Sequence, residues 1–402
     1  MRILIHDFAG HPFQIQLSRE LAARGHEVLH LYCASLSTTP QGSLIRRATD
    51  PASFQVRGVV LDEPLHKDRF FKRWQQEREY GRRAVAVMRE FRPDAVVSGN
   101  TPLDAQQMLI TEARALSAQF VFWVQDVIGV ATKRILSGKS RLVAATVGSY
   151  YERLERRLLS SSDALVVITE DFRPLFNSWG VATETHVIEN WAPLDELPAV
   201  AKDNDWARRH DLADKRTLVY TGTLGMKHNP QLLLDLAVSF RDEPDVRVVV
   251  TSQGAGAEWL RSRRTELGLD NLIIMGFQPF EDVPSVMGAA DVLIAVLEPD
   301  AGVFSVPSKV LSYLTAARPL LLAVPQENLA SKIVRDAGAG IVVDPGDSGS
   351  FVREAKELLQ APARREKMGL RARAYAERTF DVAAIADRFE TVLAVADHEG
   401  AA

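Results

Sequence analysis

The sequence predicts an α/β protein made of two doubly wound, Rossmann-like domains that face each other across a cleft. Two observations predict this architecture. Short apolar runs of strand length alternate with helical periodicity along most of the chain, and repeated βα units form parallel sheets that helices cover on both faces. The alternation is interrupted once, at 195–205, by a charged, proline-bearing stretch without periodicity. We therefore expect one domain over 1–195 and a second over 206–380, with a terminal helix at 381–396 that could pack back on the first.

The individual elements follow from short runs rich in β-branched and aromatic residues, which indicate strands, and from longer periodic stretches, which indicate helices. In the first half, strands are expected at 2–5, 27–31, 95–97, 120–124, 164–168 and 185–188, and helices at 15–24 and 104–116. In the second half, strands are expected at 216–220, 246–251, 272–275, 292–296, 320–323 and 341–343, and helices at 230–240, 257–267, from about 308 and at 381–394. Pro230 suits the start of one helix, and Pro319 blocks the continuation of another.

Composition limits the function. The chain has 402 residues, 46% of them apolar and 25% charged, which is enough for two buried cores. The formal net charge of −4 argues against binding of nucleic acid, whose phosphates attract basic surfaces. The single cysteine, Cys33, excludes an internal disulfide and a cysteine-based metal site. The first apolar run is too short for a signal peptide, and no apolar run reaches the ~18 residues of a membrane span. We expect a cytoplasmic protein that uses no cofactor and no metal ion.

The stretch 305–324 predicts a phosphate site at the start of a helix. Helical periodicity begins just after Pro307 and Ser308, so unpaired backbone N–H groups and the positive end of the helix dipole lie there. Ser308 adds a hydroxyl and Lys309 adds a cation. The alternative is an ordinary capped helix with a solvated Lys309, and this stretch alone does not decide between the two.

A glycine-rich turn in LVYTGTLGMKHNP, residues 218–230, strengthens the phosphate hypothesis. Gly222 and Gly225 let the backbone approach an anion, and Lys227 can reach it. Glycine-rich βα turns are common, so this turn is weak evidence until it is joined by Gly254 and by Gly276, which follow the next two strands. The first βα turn of the chain has one glycine rather than the dinucleotide fingerprint, which argues against a dehydrogenase.

The order of these motifs resembles the C-terminal domain of the GT4-type family of nucleotide-sugar glycosyltransferases, which have the GT-B fold. The motifs are YTGTLG followed by a lysine, SQGAG, GFQP, VPSVMGAADVLIAVL, VPSK and MGLRARAYAERTF, and they span most of 216–380. The first half resembles the family more loosely, through the glycine after the first strand, RGHEV and IENW. The VPSK and WVQD segments most resemble bacterial polysaccharide glycosyltransferases of cell-envelope assembly.

The resemblance implies a donor site in the second domain. The residues that would hold the donor diphosphate are Gly222, Thr223, Gly225, Lys227, Val306, Pro307, Ser308 and Lys309. Those that would contact the base are Gly254, Gly276, Phe277 and Gln278. Fixed cations stabilise the negative charge that develops on a leaving diphosphate without a metal, so Lys227 and Lys309 are assigned a catalytic role. The resemblance also implies a UDP donor and retention of the anomeric configuration.

One departure from the family concerns its acidic residues. Many GT4 enzymes carry two glutamates eight positions apart in this region, and counting back from Arg318 puts Phe304 and Ser312 in their places. Glu298 lies nearby on a loop, outside that register. We assign Glu298 to ribose or sugar binding, with a solvated loop acid as the favoured alternative.

In the first domain, three residues are expected to serve the acceptor. Gly10 lets the backbone approach a phosphate or a sugar, and His11 could contact acceptor or donor hydroxyls. Asp126, at a strand end, could orient the acceptor hydroxyl or, in an inverting enzyme, remove its proton. An N-cap role for Asp126 is an equal alternative. His6 is interpreted as a hydrogen-bonded strand-end histidine, and Asn190 as a packing or interdomain residue.

The segment 66–92 indicates contact with an anionic membrane surface. It carries nine Lys or Arg against four Asp or Glu, with interleaved aromatic residues, as interfacial helices do. A second basic set follows at Lys133, Arg134, Lys139 and Arg141. The alternative is a solvated helix with alternating charges.

Together these observations predict a glycosyltransferase that moves a sugar from a nucleoside diphosphate to a hydroxyl of a lipid-linked or other envelope-glycan acceptor, at the inner face of the cell membrane. Two rival hypotheses remain. One is a UDP-sugar 2-epimerase of the same fold, which needs no acceptor. The other is a catalytically silent sugar-nucleotide-binding protein, which the missing glutamate pair motivates.

Overall fold

The computed structural model describes residues 1–36, 42–65, 70–137, 144–225, 228–299 and 307–395. The chain divides into two compact units, one of Met1–Asn190 with the stretch from Asp381 onward, and one of Trp191–Phe380. Each unit contains one parallel sheet whose strands are joined by helices. This is the doubly wound α/β class predicted from the sequence.

The first unit is built on a seven-stranded sheet in the described part of the chain. Its elements are β1 (Arg2–Asp7), α1 (Pro12–Ala23), β2 (Glu27–Cys33), β3 (Phe54–Val59), α2 (Phe70–Phe91), β4 (Ala95–Gly99), α3 (Leu103–Ala115), β5 (Gln119–Val124), α4 (Ile128–Ser137), a π-helical turn (Ala144–Gly148), α5 (Ser149–Ser161), β6 (Ala164–Val167), a 3-10 turn (Glu170–Phe172), α6 (Arg173–Ser178) and β7 (Thr185–Val187). The strand order is β3-β2-β1-β4-β5-β6-β7. The order reverses between β1 and β4, and open α/β sheets bind ligands at such a point, beyond the carboxyl ends of the strands.

Strand β1 is an interior strand of this sheet. Ile3 pairs with Val28 on one side and with Ala95 on the other. Because helices cover both faces of a central parallel strand, burial continues along its length and includes the polar side chains of His6 and Asp7.

Strand β3 and helices α4, α5 and α6 of the first unit were not predicted from the sequence. β3 is an edge strand, FQVRGV, in which burial alternates and both Arg57 and Gly58 interrupt the apolar pattern. Helix α5 buries Leu154 and Leu158 at helical spacing, so its periodicity was available in the sequence.

The second unit is built on a six-stranded sheet in the described residues. Its elements are α7 (Asp205–Arg209), β8 (Arg216–Thr221), α8 (Pro230–Ser239), β9 (Val246–Thr251), α9 (Ala255–Leu267), β10 (Leu272–Met275), a 3-10 turn (Phe280–Asp282), α10 (Val283–Gly288), β11 (Val292–Val296), α11 (Lys309–Thr315), β12 (Leu320–Ala323), α12 (Leu329–Ala337), β13 (Gly340–Val343), α13 (Ser348–Gln360) and α14 (Pro362–Thr379). The strand order is β10-β9-β8-β11-β12-β13, which reverses between β8 and β11.

The stretch 195–205, expected to be a linker, packs against the second unit. The Arg318 guanidinium donates to the Val200 carbonyl at 3.1 Å, and Lys202 forms an ion pair with Asp291. Asn204 caps helix α7 by accepting the N–H of Ala207 at 3.0 Å. These contacts hold the stretch on the body of the unit, which its charged composition did not indicate.

The last described helix, α15 (Val382–Val395), packs in the first unit. Arg24, at the end of α1, forms ion pairs of 2.6 Å with both Asp387 and Glu390. The Phe389 ring lies 4.8 Å from the Trp123 ring of β5, centroid to centroid. No helix among the described residues combines the length and the apolar character needed to cross a lipid bilayer.

Candidate functional site

The turn after β8 places backbone groups beyond the carboxyl end of the second sheet. Gly222 has a φ of +108°, its N–H donates to the Thr251 carbonyl at 3.1 Å, and its carbonyl accepts from Ser252 Oγ at 2.6 Å. Only glycine adopts this φ readily, so the residue type follows from the turn. The turn therefore has a defined conformation that its neighbours maintain.

The turn after β9 packs backbone to backbone against it. Gly254 has a φ of +119°, and a Cβ there would lie 2.8 Å from the Leu224 carbonyl oxygen. The Gly256 N–H donates to that same oxygen at 3.0 Å. The glycines of SQGAG thus permit close packing of two loops, a structural need that is independent of any ligand.

Lys309, the first residue of α11, reaches the Gly222 turn. Its ammonium lies 3.6 Å from the centre of the Tyr220 ring, donates to the Tyr220 hydroxyl and approaches the Thr223 carbonyl at 3.4 Å. Both bonded partners are neutral. Burial lowers the pKa of Lys309 well below its usual range, because desolvation disfavours the ammonium.

Two buried tyrosines that the sequence analysis did not single out connect the turn to α11. Tyr220 donates its hydroxyl proton to the Thr223 carbonyl at 2.8 Å. Tyr313 accepts the Thr221 N–H at 2.9 Å and lies 3.1 Å from the Thr221 carbonyl. Both side chains are fully buried, where a phenol needs a hydrogen-bond partner. A tyrosine within an otherwise apolar strand, as in LVYT, was the available signal.

The predicted helix start near Ser308 is confirmed, since α11 begins at Lys309 with Ser308 in the N-cap position. The Ser308 side chain is exposed and forms no capping hydrogen bond, and Pro307 is half-buried. Helix α11 has only seven residues, so we expect the charge on Lys309 to attract an anion more strongly than the helix dipole does.

Other predicted donor residues have partners within the protein. The Gly225 N–H donates to His228 Nδ1 at 2.8 Å. Gln278 accepts from Trp206 Nε1 at 3.0 Å and donates to the Gly276 carbonyl at 3.0 Å. The Gln278 amide therefore has a structural role in this loop.

The remaining residues assigned to the donor site differ in burial, and some lie outside the described residues. Phe277 and Glu298 are half-buried, the latter just beyond β11. Lys227, Val306 and Phe304 lie outside the described residues. Ser312 is half-buried on α11.

In the first unit, Asp7 shapes the turn that contains Gly10 and His11. Its carboxylate accepts the Ala9 N–H at 3.1 Å and the His11 N–H, and lies 3.3 Å from His11 Nδ1. Gly10 has a φ of +76°. Burial would lower the pKa of His11, but the Asp7 carboxylate, with a smaller effect of Asp126, raises it above its ordinary value.

Asp126 is exposed just beyond β5, and a different acid serves the helix that follows. The buried Glu155 accepts the N–H groups of Ile128 and Gly129, each at 2.8 Å. The first amides of α4 thus have an acceptor in α5. Burial raises the pKa of Glu155 to about 8.

A cluster of amide side chains that was missed lies next to Asp126. Asn100, with a φ of +51°, donates to Gln125 Oε1 at 2.6 Å, and Asn190 donates to the same oxygen at 3.3 Å. Asn190, which we expected to be a packing or interdomain residue, is one of these hydrogen-bonding amides. These residues follow β4, β5 and β7, and their position in the sheet, not their spacing in the sequence, brings them together.

The predicted membrane helix is α2, whose cations are largely paired. Lys72 pairs with Glu63, while Arg73 and Arg83 pair with acids one turn away on α2. Phe71 is 67% exposed and its ring lies 5.6 Å from that of Trp74. The second basic set lies partly outside the described residues, since Lys139 and Arg141 fall there, while Lys133 pairs with Glu152.

Comparison with known proteins identifies both halves of the chain. Residues 14–191 match the family described as "Glycosyl transferase 4-like domain", and residues 202–375 match "Glycosyl transferases group 1". The chain is 25% identical over 309 residues to the putative colanic acid biosynthesis glycosyl transferase WcaI of Escherichia coli (strain K12), covering 74% of this chain and 73% of that protein. It is 24% identical over 241 residues to the putative glycosyltransferase EpsD of Bacillus subtilis (strain 168), covering 57% and 60%.

Solved structures show the same fold over nearly the whole chain. Sucrose-phosphate synthase from Thermosynechococcus elongatus has a TM-score of 0.74 at 17% identity, covering 98% of each chain. Anabaena HepE in complex with UDP-glucose has a TM-score of 0.72 at 16% identity, covering 98% of this chain and all of that one. With the two family matches and two parallel Rossmann-like sheets, these likenesses establish that this chain is an enzyme of the GT4-type glycosyltransferase family with the GT-B fold.

Proposed function

We propose that this glycosyltransferase moves a sugar from a nucleoside diphosphate, specifically UDP, to a hydroxyl of a lipid-linked or other envelope-glycan acceptor. The observation that carries the proposal is the placement of Lys309 over the Gly222 turn, where its bonded partners are neutral. A desolvated amine in that position gains its full charge when an anion arrives. A diphosphate supplies that anion in both the ground state and the leaving group.

The proposed chemistry depends on the charge of the leaving group. As the bond between sugar and diphosphate breaks, negative charge grows on the terminal phosphate oxygen, and an ammonium already in place stabilises it without reorganisation. Lys309 would hold that charge from α11, while the backbone of the Gly222 turn would fix the phosphates. Lys227 is assigned the same role from the sequence motif. We further propose retention, with the donor's own phosphate helping to accept the proton.

The first unit is proposed to hold the acceptor. His11, Asp126 and the amides of Asn100 and Gln125 follow neighbouring strands of its sheet. Amides and imidazoles both donate and accept hydrogen bonds, as hydroxyl groups do, so they suit a sugar ring. Asp126 would orient the attacking hydroxyl.

The relatives support the class of substrate. WcaI is described as acting in colanic acid biosynthesis, and the HepE structure contains UDP-glucose. We propose by analogy a UDP-sugar donor and an envelope polysaccharide product, and a cytoplasmic site of action at the inner face of the membrane, with α2 as the contacting helix.

A donor screen tests the proposal. UDP, GDP and their sugars are added to the full chain, and the melting temperature is followed, because a ligand that binds only the folded state raises it. We expect UDP-sugars to give the largest shifts. Lys309→Met, which keeps the length of the side chain without its charge, should weaken UDP binding by about tenfold in calorimetry. The exposed Lys367→Met on α14 is the matched control. Equal affinity of wild type and Lys309→Met would contradict the assignment of Lys309.

Product analysis separates the rival activities. Transfer to an acceptor supports the proposal, and release of free epimerised sugar from donor alone would instead show a 2-epimerase. UDP binding with neither transfer nor donor hydrolysis across a broad panel would show a silent binding protein. That last alternative is favoured by Ser312, which stands where the family carries a carboxylate.

A further inference from the structure

Two tyrosines connect the two elements of the proposed diphosphate site in a reciprocal way. Tyr220 belongs to β8, and its hydroxyl accepts a hydrogen bond from Lys309 on α11. Tyr313 belongs to α11, and its hydroxyl bonds the backbone of Thr221 at the end of β8. The strand thus holds the helix at its first residue, and the helix holds the strand at its last.

The contacts of Tyr220 define where the Lys309 ammonium stands. The ring lies beneath the nitrogen at 3.6 Å, and the negative face of a π-system attracts a cation at that distance. The hydroxyl accepts from Lys309 while it donates to the Thr223 carbonyl at 2.8 Å, so its orientation is determined on both sides. These two contacts restrict a side chain that otherwise has many rotamers.

The contacts of Tyr313 define where the Gly222 turn begins. One hydroxyl bonds both backbone groups of Thr221, at 2.9 Å to its nitrogen and 3.1 Å to its oxygen. A side chain from α11 is thereby a partner of the last residue of β8, immediately before the turn. Two hydrogen-bonded contacts, Lys309 with Tyr220 and Tyr313 with Thr221, therefore set the distance between the Gly222 turn and Lys309.

The surroundings of Lys309 explain why positioning matters. Tyr220 is the titratable side chain that contacts Lys309, and among the described residues no carboxylate forms an ion pair with it. An acid would anchor the amine but would also compete with an incoming phosphate. Tyrosine anchors the amine while leaving its charge available to the ligand.

We infer that Tyr220 and Tyr313 are positioning residues that keep Lys309 and the Gly222 turn at the spacing a nucleoside diphosphate requires. This inference rests on the proposed function, because it concerns the same diphosphate site. Neither tyrosine need touch the nucleoside. Their removal should therefore weaken recognition of phosphates and leave recognition of the nucleoside unchanged.

The test compares UDP with uridine on the full-length protein. Calorimetry or ligand-observed NMR gives the affinity of each probe for wild type, Tyr220→Phe, Tyr313→Phe and the double variant. Each single variant should bind UDP about tenfold more weakly, since one hydrogen bond to or near a charged group is lost, and should bind uridine as wild type does. The double variant should lose less UDP affinity than the product of the two single fold-changes, because both tyrosines control the same distance, that between Lys309 and the Gly222 turn.

Controls separate positioning from general stability. Tyr375→Phe on α14 removes a phenolic hydroxyl elsewhere in the same unit and should leave UDP affinity unchanged. Melting temperatures of all variants are compared, and Tyr220→Trp, which keeps an aromatic face for the ammonium, should retain more UDP affinity than Tyr220→Leu.

Two outcomes would overturn the inference, and they differ from failure of the proposed function. If Tyr220→Phe and Tyr313→Phe bind UDP as wild type does, the tyrosines do not position the site although the donor proposal stands. If both variants lose UDP and uridine affinity equally, their role is general folding of the unit. If wild type binds uridine but gains no affinity from the diphosphate of UDP, the proposed function itself is wrong.

Discussion

The side chain of Lys309 passes 3.4 Å, measured at Cε, from the point where a Cβ on Gly222 would stand. The backbone φ of +108° is what favours glycine at position 222, and a Cβ there would be in ordinary van der Waals contact with Lys309. The glycine of the turn and the lysine of the helix form a single arrangement, although 86 positions separate the turn residue Thr223 from Lys309.

Replacing Gly222 by alanine should test the role of this turn in donor binding. We expect a loss of about 1–2 kcal/mol of unfolding free energy from the strained φ, together with weaker UDP binding, because relief of the strain shifts the turn that is proposed to hold the phosphates. Gly25→Ala is the matched control, since Gly25 has a φ of +96° but nothing within 4 Å of its Cβ position. It should show the same loss of stability with unchanged UDP affinity. Equal UDP affinity of both variants would contradict a role of the Gly222 turn in UDP binding.

Binding of UDP should take up protons through Lys309. Burial holds the pKa of free Lys309 well below its usual range, and a bound diphosphate raises it, so part of the population gains a proton on binding. The affinity for UDP should accordingly fall as pH rises above the pKa that Lys309 has in the free enzyme. Calorimetry in buffers of different ionisation enthalpy measures this uptake, which should disappear in Lys309→Met.

Replacing Asp126 by asparagine should lower turnover more than donor affinity. The carboxylate is exposed beyond β5, and Glu155 already accepts the first amides of α4, so the change should not affect folding. Asparagine keeps the shape but cannot fix or deprotonate an acceptor hydroxyl as a carboxylate does. Steady-state kinetics with a donor hydrolysis assay measures the effect. Unaltered turnover would remove Asp126 from the catalytic residues.

His6 should make the protein sensitive to acid. Burial lowers the pKa of His6 from 6.5 to about 3, while its nitrogens bond Ser98 at 2.8 Å and Tyr80 at 2.7 Å. Because the unfolded state binds the proton first, this stability is present above pH 6.5 and is lost as pH falls, by up to about 1.4 kcal/mol per pH unit. Urea unfolding between pH 7.5 and 5 measures the slope. His6→Gln should show a shallower slope, and an identical slope would exclude this group.

Neutralising Lys72, Arg73 and Arg82 should reduce sedimentation with anionic liposomes. Because Lys72 and Arg73 already form ion pairs, we expect the charge substitutions to reduce sedimentation only modestly. Replacing the exposed Phe71 by serine as well should reduce it further. No change on either substitution would argue against a membrane role for α2. A control variant neutralises three exposed arginines of the second unit, Arg241, Arg353 and Arg364.

The amino-acid sequence predicted the fold class, the strands of both sheets apart from β3, and the family. It did so because central parallel strands are buried on both faces, which leaves continuous apolar runs such as VRVVVT and LLLA, and because the turns between them need glycine and proline at particular positions. The edge strand β3 was missed for the opposite reason, since exposure on one side removes the apolar run. The start of α11 was also predictable, because a proline precedes it.

Which side chains share a site depends on how the strands and helices pack. The contacts of Lys309 with Tyr220, and of Tyr313 with Thr221, join residues 89 and 92 positions apart, and no local pattern records such a pairing. The strand order places β11 beside β8 in parallel, which brings the carboxyl ends of both strands to one edge of the sheet. The sequence predicted that Lys309 lies in a phosphate site. The neutral partners of Lys309 are seen only in the folded structure, because the hydroxyl of Tyr220, buried in an apolar strand, reaches its hydrogen-bond partners through tertiary packing.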